Sequence, residues 1–275
     1  MSYECFDVQI ADHIAHVKLN RPEKRNAMNR AFWQELPAII GNIDRQAAAR
    51  VIVISSTGPH FSAGLDLSLF ESNDTATRST SDGQRAVGLY NHILHMQQTF
   101  NCLENCRLPV LAAIQGGAIG GGVDLSTACD MRYATEDAFF VIQEINIALT
   151  ADAGTFPRLV KLIPEGIVRE LAYTGRAMSA REALQAGLVN QVFADQQQLL
   201  AGVMHVAQQI ASKAPAAIYG SKRMINYARD HSTADALDYI SIWNTSMMDN
   251  AEILEAIQAK AEGRDANFTD LPARQ

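Results

Sequence analysis

The chain has no run of lysine or arginine. Its 23 Lys and Arg against 30 Asp and Glu leave a net charge of −7. A nucleic-acid or anionic-membrane surface wants a clustered basic patch, so neither partner is expected. Long apolar runs are missing too. The longest uncharged stretch, 108–123, falls short of the roughly 20 residues of a spanning helix and is interrupted by Pro109 and five glycines. Cysteine is scarce: four in a chain this long make no disulfide framework, which fits a reducing compartment. Residues 1–20 lack the apolar core of a signal peptide and read instead as a first strand hairpin. What the sequence has in quantity is ordinary apolar content, 48%, enough for a large globular core.

That content is patterned. Segments 13–20, 50–56, 110–116 and 138–144 read as strands, with helical periodicity over 29–48 and 84–106 between them. This is an α/β pattern. After Asp152 the sequence turns mostly helical, with segments near 154–162, 165–173, 179–186, 197–212, 216–229, 233–247 and 250–262. Two regions follow: a core over 1–200 and a helical extension over 201–275. The polar run 71–83 reads as a surface loop. His92, His95, Cys102 and Cys106 invite a metal reading, but helical spacing puts the first and last roughly 21 Å apart, so no metal site is expected.

Chemistry concentrates after a glycine-rich turn, 115-QGGAIGGGVDL-125. Its glycines allow close backbone approach to a ligand, and a helix opening there aims free N–H groups at developing negative charge. The spacing is not GxGxxG, and Val123 stands where a triphosphate loop needs Lys, so nucleotide binding is not expected. Asp124, Glu144 and Asp152 follow in apolar surroundings, which raise carboxyl pKa values when the groups are buried. Such groups both take and give protons. A second small-residue turn, within 55-SSTGPHFSAGLDL-67, offers another backbone donor; two facing donors make an oxyanion hole.

With 19-LNRPEKRNAMN-29, 61-FSAGLDL-67, 116-GGAIGGGVDL-125 and 170-ELAYTGRAMSAREALQAGLVN-190 in order, the chain resembles the crotonase (enoyl-CoA hydratase/isomerase) superfamily along nearly its whole length. Residues 120–159 most resemble the Δ3,5-Δ2,4-dienoyl-CoA isomerases, in which the first hydratase glutamate and a later hydratase glycine are both aspartates; here these are Asp124 and Asp152, with Glu144 between them. The resemblance implies an α/β spiral of ββα units with a C-terminal helical trimerisation region, and a homotrimer or homohexamer. It implies that the backbone N–H groups of Leu65 and Gly121 polarise a thioester carbonyl. It puts Lys24, Arg25 and Ala63 near coenzyme A, and Lys260 and Phe268 at a neighbouring subunit's ligand. The implied activity shifts the double bonds of a 3,5-dienoyl-CoA to a 2,4-dienoyl-CoA in fatty acid β-oxidation. Coenzyme A then arrives as part of an acyl-CoA substrate, with no separate cofactor.

Plainer readings exist for each carboxylate: Asp152 capping a helix that begins near Ala153, Glu144 paired with Arg158, and Asp124 capping its own helix. The alternative activity is a 2-enoyl-CoA hydratase, which Asp152 disfavours by adding charge at the water site. A non-catalytic protein binding RNA or a partner is the alternative of another class. With no peroxisomal tripeptide in the closing 272-PARQ-275, the expected location is a bacterial cytoplasm.

Overall fold

The computed structural model describes residues 3–71 and 81–274. Elements follow in the order β1 (Phe6–Ala11), β2 (Ile14–Leu19), α1 (Arg30–Gln46), β3 (Val51–Ser56), α2 (Ser68–Glu71) and α3 (Asp82–Asn105). Next come β4 (Val110–Ile114), β5 (Gly117–Ile119), α4 (Gly121–Ala128), β6 (Met131–Thr135), β7 (Phe139–Val141), α5 (Thr155–Leu159) and α6 (Glu165–Thr174). The chain closes with β8 (Met178–Ser179), α7 (Ala180–Ala186), β9 (Gln191–Phe193), α8 (Gln196–Ala211), α9 (Pro215–Asp230), α10 (Thr233–Met247) and α11 (Asn250–Glu262).

β1 pairs antiparallel with β2, and β2, β3, β4, β6 and β9 continue the larger sheet in parallel. A smaller sheet orders β5, β7 and β8. Two turns of the chain thus give one strand to each sheet before a helix, β4–β5–α4 and β6–β7–α5. The central strands bury both faces, so they read as continuous apolar runs instead of alternating. Ile52, Ile54, Ala112 and Ile114 point into the main core with α1 and α3, whereas Val51, Val53, Leu111 and Ala113 face Leu199, Val203 and Ala207 of α8.

Helix α1 is capped by Asn29, whose side chain accepts from the Phe32 N–H, and it carries Pro37 internally. Proline has no N–H for the carbonyl four residues back. That carbonyl, on Trp33, accepts instead from the Thr99 hydroxyl of α3 at 3.2 Å, locking two helices beside the site. The expected strand over 138–144 stops at Val141, and Glu144–Ile147 form a 3₁₀ turn. Of the polar run 71–83, residues 72–80 lie outside the described ones, and Ser81 with Gln84 forms a capping box at the start of α3. No described helix is long and apolar enough to cross a membrane.

Candidate active site

The segment 21–28 is held over 57–60 by one buried side chain. Asn26, at φ +54°, donates from Nδ2 to the Thr57 carbonyl (2.8 Å) and the His60 carbonyl (3.0 Å), and its Oδ1 accepts from the Arg21 N–H (2.9 Å). Residues 25–28 then run beside 63–66. Ala63 N–H donates to Arg25 O (2.9 Å), Met28 N–H to Gly64 O (2.7 Å) and Asp66 N–H to Met28 O (3.1 Å). These bonds leave the Leu65 N–H, on the opposite side of that segment, without an acceptor among the described residues.

Gly64, at φ +79°, lies directly on the Ile119–Gly121 backbone. A Cβ there would stand 2.5 Å from the Ile119 carbonyl oxygen and 3.1 Å from the Gly121 nitrogen. Gly121 opens α4, where a helix has amides with no intrahelical acceptor. The absence of two side chains therefore brings two free N–H groups together, a geometry suited to a developing oxyanion.

Leu65, Gly121, Asp124, Glu144 and Asp152 line one cavity of about 290 Å³, walled by apolar groups that include Trp33 and Met96. Asp124 is 1% exposed, and its Oδ1 accepts from the Thr155 hydroxyl at 2.7 Å. Burial, opposed by Thr155 and reinforced by Glu144, pushes its carboxyl up to about 7. Glu144 is half-buried, and its Oε2 is buried without a hydrogen-bond partner among the described residues. Burial and then the charge of Asp152 raise its pKa, while its own backbone N–H opposes them. Gly120, at φ +50° and ψ −114°, makes room for it, since a Cβ there would lie 3.0 Å from Glu144 Oε1. Asp152 is exposed, the most open of the three; desolvation raises its pKa, opposed by its own backbone N–H and then by His92.

The plainer roles are not those observed. Helix α5 is capped by Gly154 and not by Asp152, because a glycine at φ +130° turns the chain one residue before Thr155. Arg158 pairs with Glu104 (2.8 Å) and Asn101 (2.6 Å), leaving Glu144 unpaired with it. Asp124 sits inside α4 and bonds across to α5.

Ala63 lines the cavity, and Lys24 and Arg25 are exposed on the adjoining loop. Lys260 and Phe268 are not brought there within this chain: Lys260 is exposed on α11, and Phe268 lines a separate groove with Trp243 and Met247. Asn26 and Gly120 stood in the sequence only as members of longer motifs, 19–29 and 115–125, and Thr155 carried no sequence signal of its own.

Residues 9–271 match the enoyl-CoA hydratase/isomerase family. The chain belongs to this family. Over 266 residues it is 44% identical to the mitochondrial Delta(3,5)-Delta(2,4)-dienoyl-CoA isomerase of Homo sapiens, covering 96% of this chain and 81% of the human protein. It is 39% identical to the peroxisomal protein of the same name from Arabidopsis thaliana, covering 94% and 93% of the two chains. The crystal structure of an enoyl-CoA hydratase from Bacillus anthracis superposes with a TM-score of 0.86 at 31% identity, covering 98% of this hydratase/isomerase family chain and 100% of that one. These relatives overturn the expected bacterial cytoplasmic location, since they are named as mitochondrial and peroxisomal proteins. Compartment is set by receptor-read address signals and not by the folded site, so the lack of one recognisable tripeptide did not discriminate.

Proposed function

We propose that this protein is a Δ3,5-Δ2,4-dienoyl-CoA isomerase acting in fatty acid β-oxidation. The observation that carries the reading is the meeting of three carboxylates with raised pKa values and two free backbone N–H groups in one apolar cavity. The Leu65 and Gly121 N–H groups receive the thioester oxygen. Glu144 removes a proton from C2 of the 3,5-dienoyl chain, and the charge spreads onto that oxygen and along the conjugated system. Asp152 delivers a proton to C6, which moves both double bonds and gives the 2,4-dienoyl thioester. Asp124 acts as their electrostatic and hydrogen-bonding partner.

One proton leaves carbon and one arrives, with no net redox change, so the chemistry asks for no cofactor beyond the coenzyme A of the substrate. Lys24, Arg25 and Ala63 are assigned to its binding, with Lys260 and Phe268 reaching the ligand of a neighbouring subunit in a homotrimer or homohexamer. Purified protein offered 3,5-dienoyl-CoA and 2-enoyl-CoA separately tests the reading by absorbance. Conjugated dienoyl product in the first case is expected. Loss of the enoyl band with no dienoyl conversion would establish the hydratase instead.

A further inference from the structure

Thr155 is fully buried, and its hydroxyl donates to Asp124 Oδ1 at 2.7 Å. Nothing about its place is loose. It is the first residue of α5, entered through Gly154 at φ +130°, where a Cβ would run into the Arg158 guanidinium. Arg158 is itself tied to Glu104 and Asn101 of α3. The bond occupies Oδ1, while the Asp124 side chain lines the reaction cavity.

We propose that Thr155 is a positioning residue of the isomerase reaction: its hydroxyl orients the Asp124 carboxyl on the cavity wall beside Glu144. The proposal rests on the isomerase reading of the site. The charged groups facing Asp124 are Glu144, from the 3₁₀ turn, and Arg158, from α5, with the Arg158 charge engaged by Glu104 of α3. Asp152 bears on Glu144 in turn, and His92 on Asp152. Burial and Glu144 favour neutral Asp124, and the Thr155 hydroxyl is the largest influence opposing them. Without it the balance moves further toward neutral Asp124. A charged Asp124 raises the proton affinity of Glu144 and so strengthens it as a base, whereas a neutral one does not.

The test is the pH profile of kcat for dienoyl isomerisation. Thr155→Val keeps the shape and removes the donor, so the acid limb on which Asp124 ionises should move up by about one pH unit. Thr155→Ser should restore the wild-type limb, and in an Asp124→Asn background Thr155→Val should move nothing further. A limb unmoved in Thr155→Val, even with kcat lowered, would leave Thr155 a packing residue and overturn the proposal. Should that variant not fold, Thr155→Ala is judged by the same criteria. Isotope-edited infrared titration reads the same carboxyl directly: the aspartate band missing from Asp124→Asn should titrate at higher pH in the donor-less Thr155 variant than in wild type, and an unmoved midpoint overturns the proposal. Wild-type protein without dienoyl turnover refutes the isomerase reading instead, and the infrared comparison still decides whether Thr155 acts on Asp124.

Discussion

Glu144 and Asp152 share a cavity but differ in surroundings, the first with a buried unpartnered oxygen and the second exposed. Assigned to C2 and C6, they should fail differently. Asp152→Asn keeps size and much of the hydrogen bonding but cannot transfer a proton, so dienoyl conversion should fall about 100- to 10,000-fold. Solvent deuterium exchange at C2 should persist in it, and Glu144→Gln should lose both activities. Wild-type turnover in Asp152→Asn would return the site to the hydratase reading.

Asp124 predicts a stability effect with a definite sign. Its folded pKa, about 7, lies above the ordinary aspartate value of 3.8, so the folded state holds the proton more tightly than the unfolded chain. Its contribution is therefore favourable at low pH and is lost as pH rises from the unfolded value through the folded one. Asp124→Asn removes that dependence, so its Tm should gain on wild type between pH 5 and pH 8. A constant gap in thermal melts would contradict the raised pKa. The three carboxylates were legible because acids in apolar sequence are rare. Thr155 was not, because a threonine gains meaning only from the side chain a fold puts opposite it.

At the scale of elements, the oxyanion geometry depends on loop against loop. Gly64 combines a positive φ with a backbone neighbour 2.5 Å from where a Cβ would be, so Gly64→Ala must move the 63–66 segment away from the start of α4. Turnover should drop by about 100-fold, the loss typical of removing one oxyanion donor, with α/β circular dichroism retained. Leu65→Pro deletes the donor itself and should do at least as much damage. Near-normal turnover in folded Leu65→Pro would exclude that N–H from the reaction. The long helices were legible from period and caps, and α10 and α11 fall at 233–247 and 250–262 as read. The short strands β5, β8 and β9 were not. With three residues or fewer each, they have too little sequence to show a period, and β5 lies inside a segment whose glycines read as a turn.

At the scale of the molecule, α10 buries none of its residues and α11 only Ala259. Leu237, Ile242, Met248, Leu254 and Ile257 are each more than half exposed. This surface is not loosely attached. α10 packs on α9, where Gly220 allows the Trp243 ring to within a Cβ's width, and the segment after α11 returns to the core. There Leu271 packs against the core, Arg107 donates to the Pro272 carbonyl at 2.7 Å, and the Arg274 N–H donates to the Arg45 carbonyl at 2.7 Å. The platform is held at both ends with an apolar face outward, and contiguous faces of this kind mark protein interfaces. We expect light scattering at micromolar concentration to give a trimer of about 90 kDa or its double, from a 30.0 kDa chain. Leu254→Glu with Ile257→Glu should shift the mass downward. If Phe268 and Lys260 serve a neighbour's ligand, the same variant should raise KM for the acyl-CoA several-fold, because the coenzyme A contact is lost with the neighbour while Glu144, Asp152 and the oxyanion donors stay within one chain. A wild-type monomer with full activity would remove both the assembly and the cross-subunit assignment of Phe268 and Lys260.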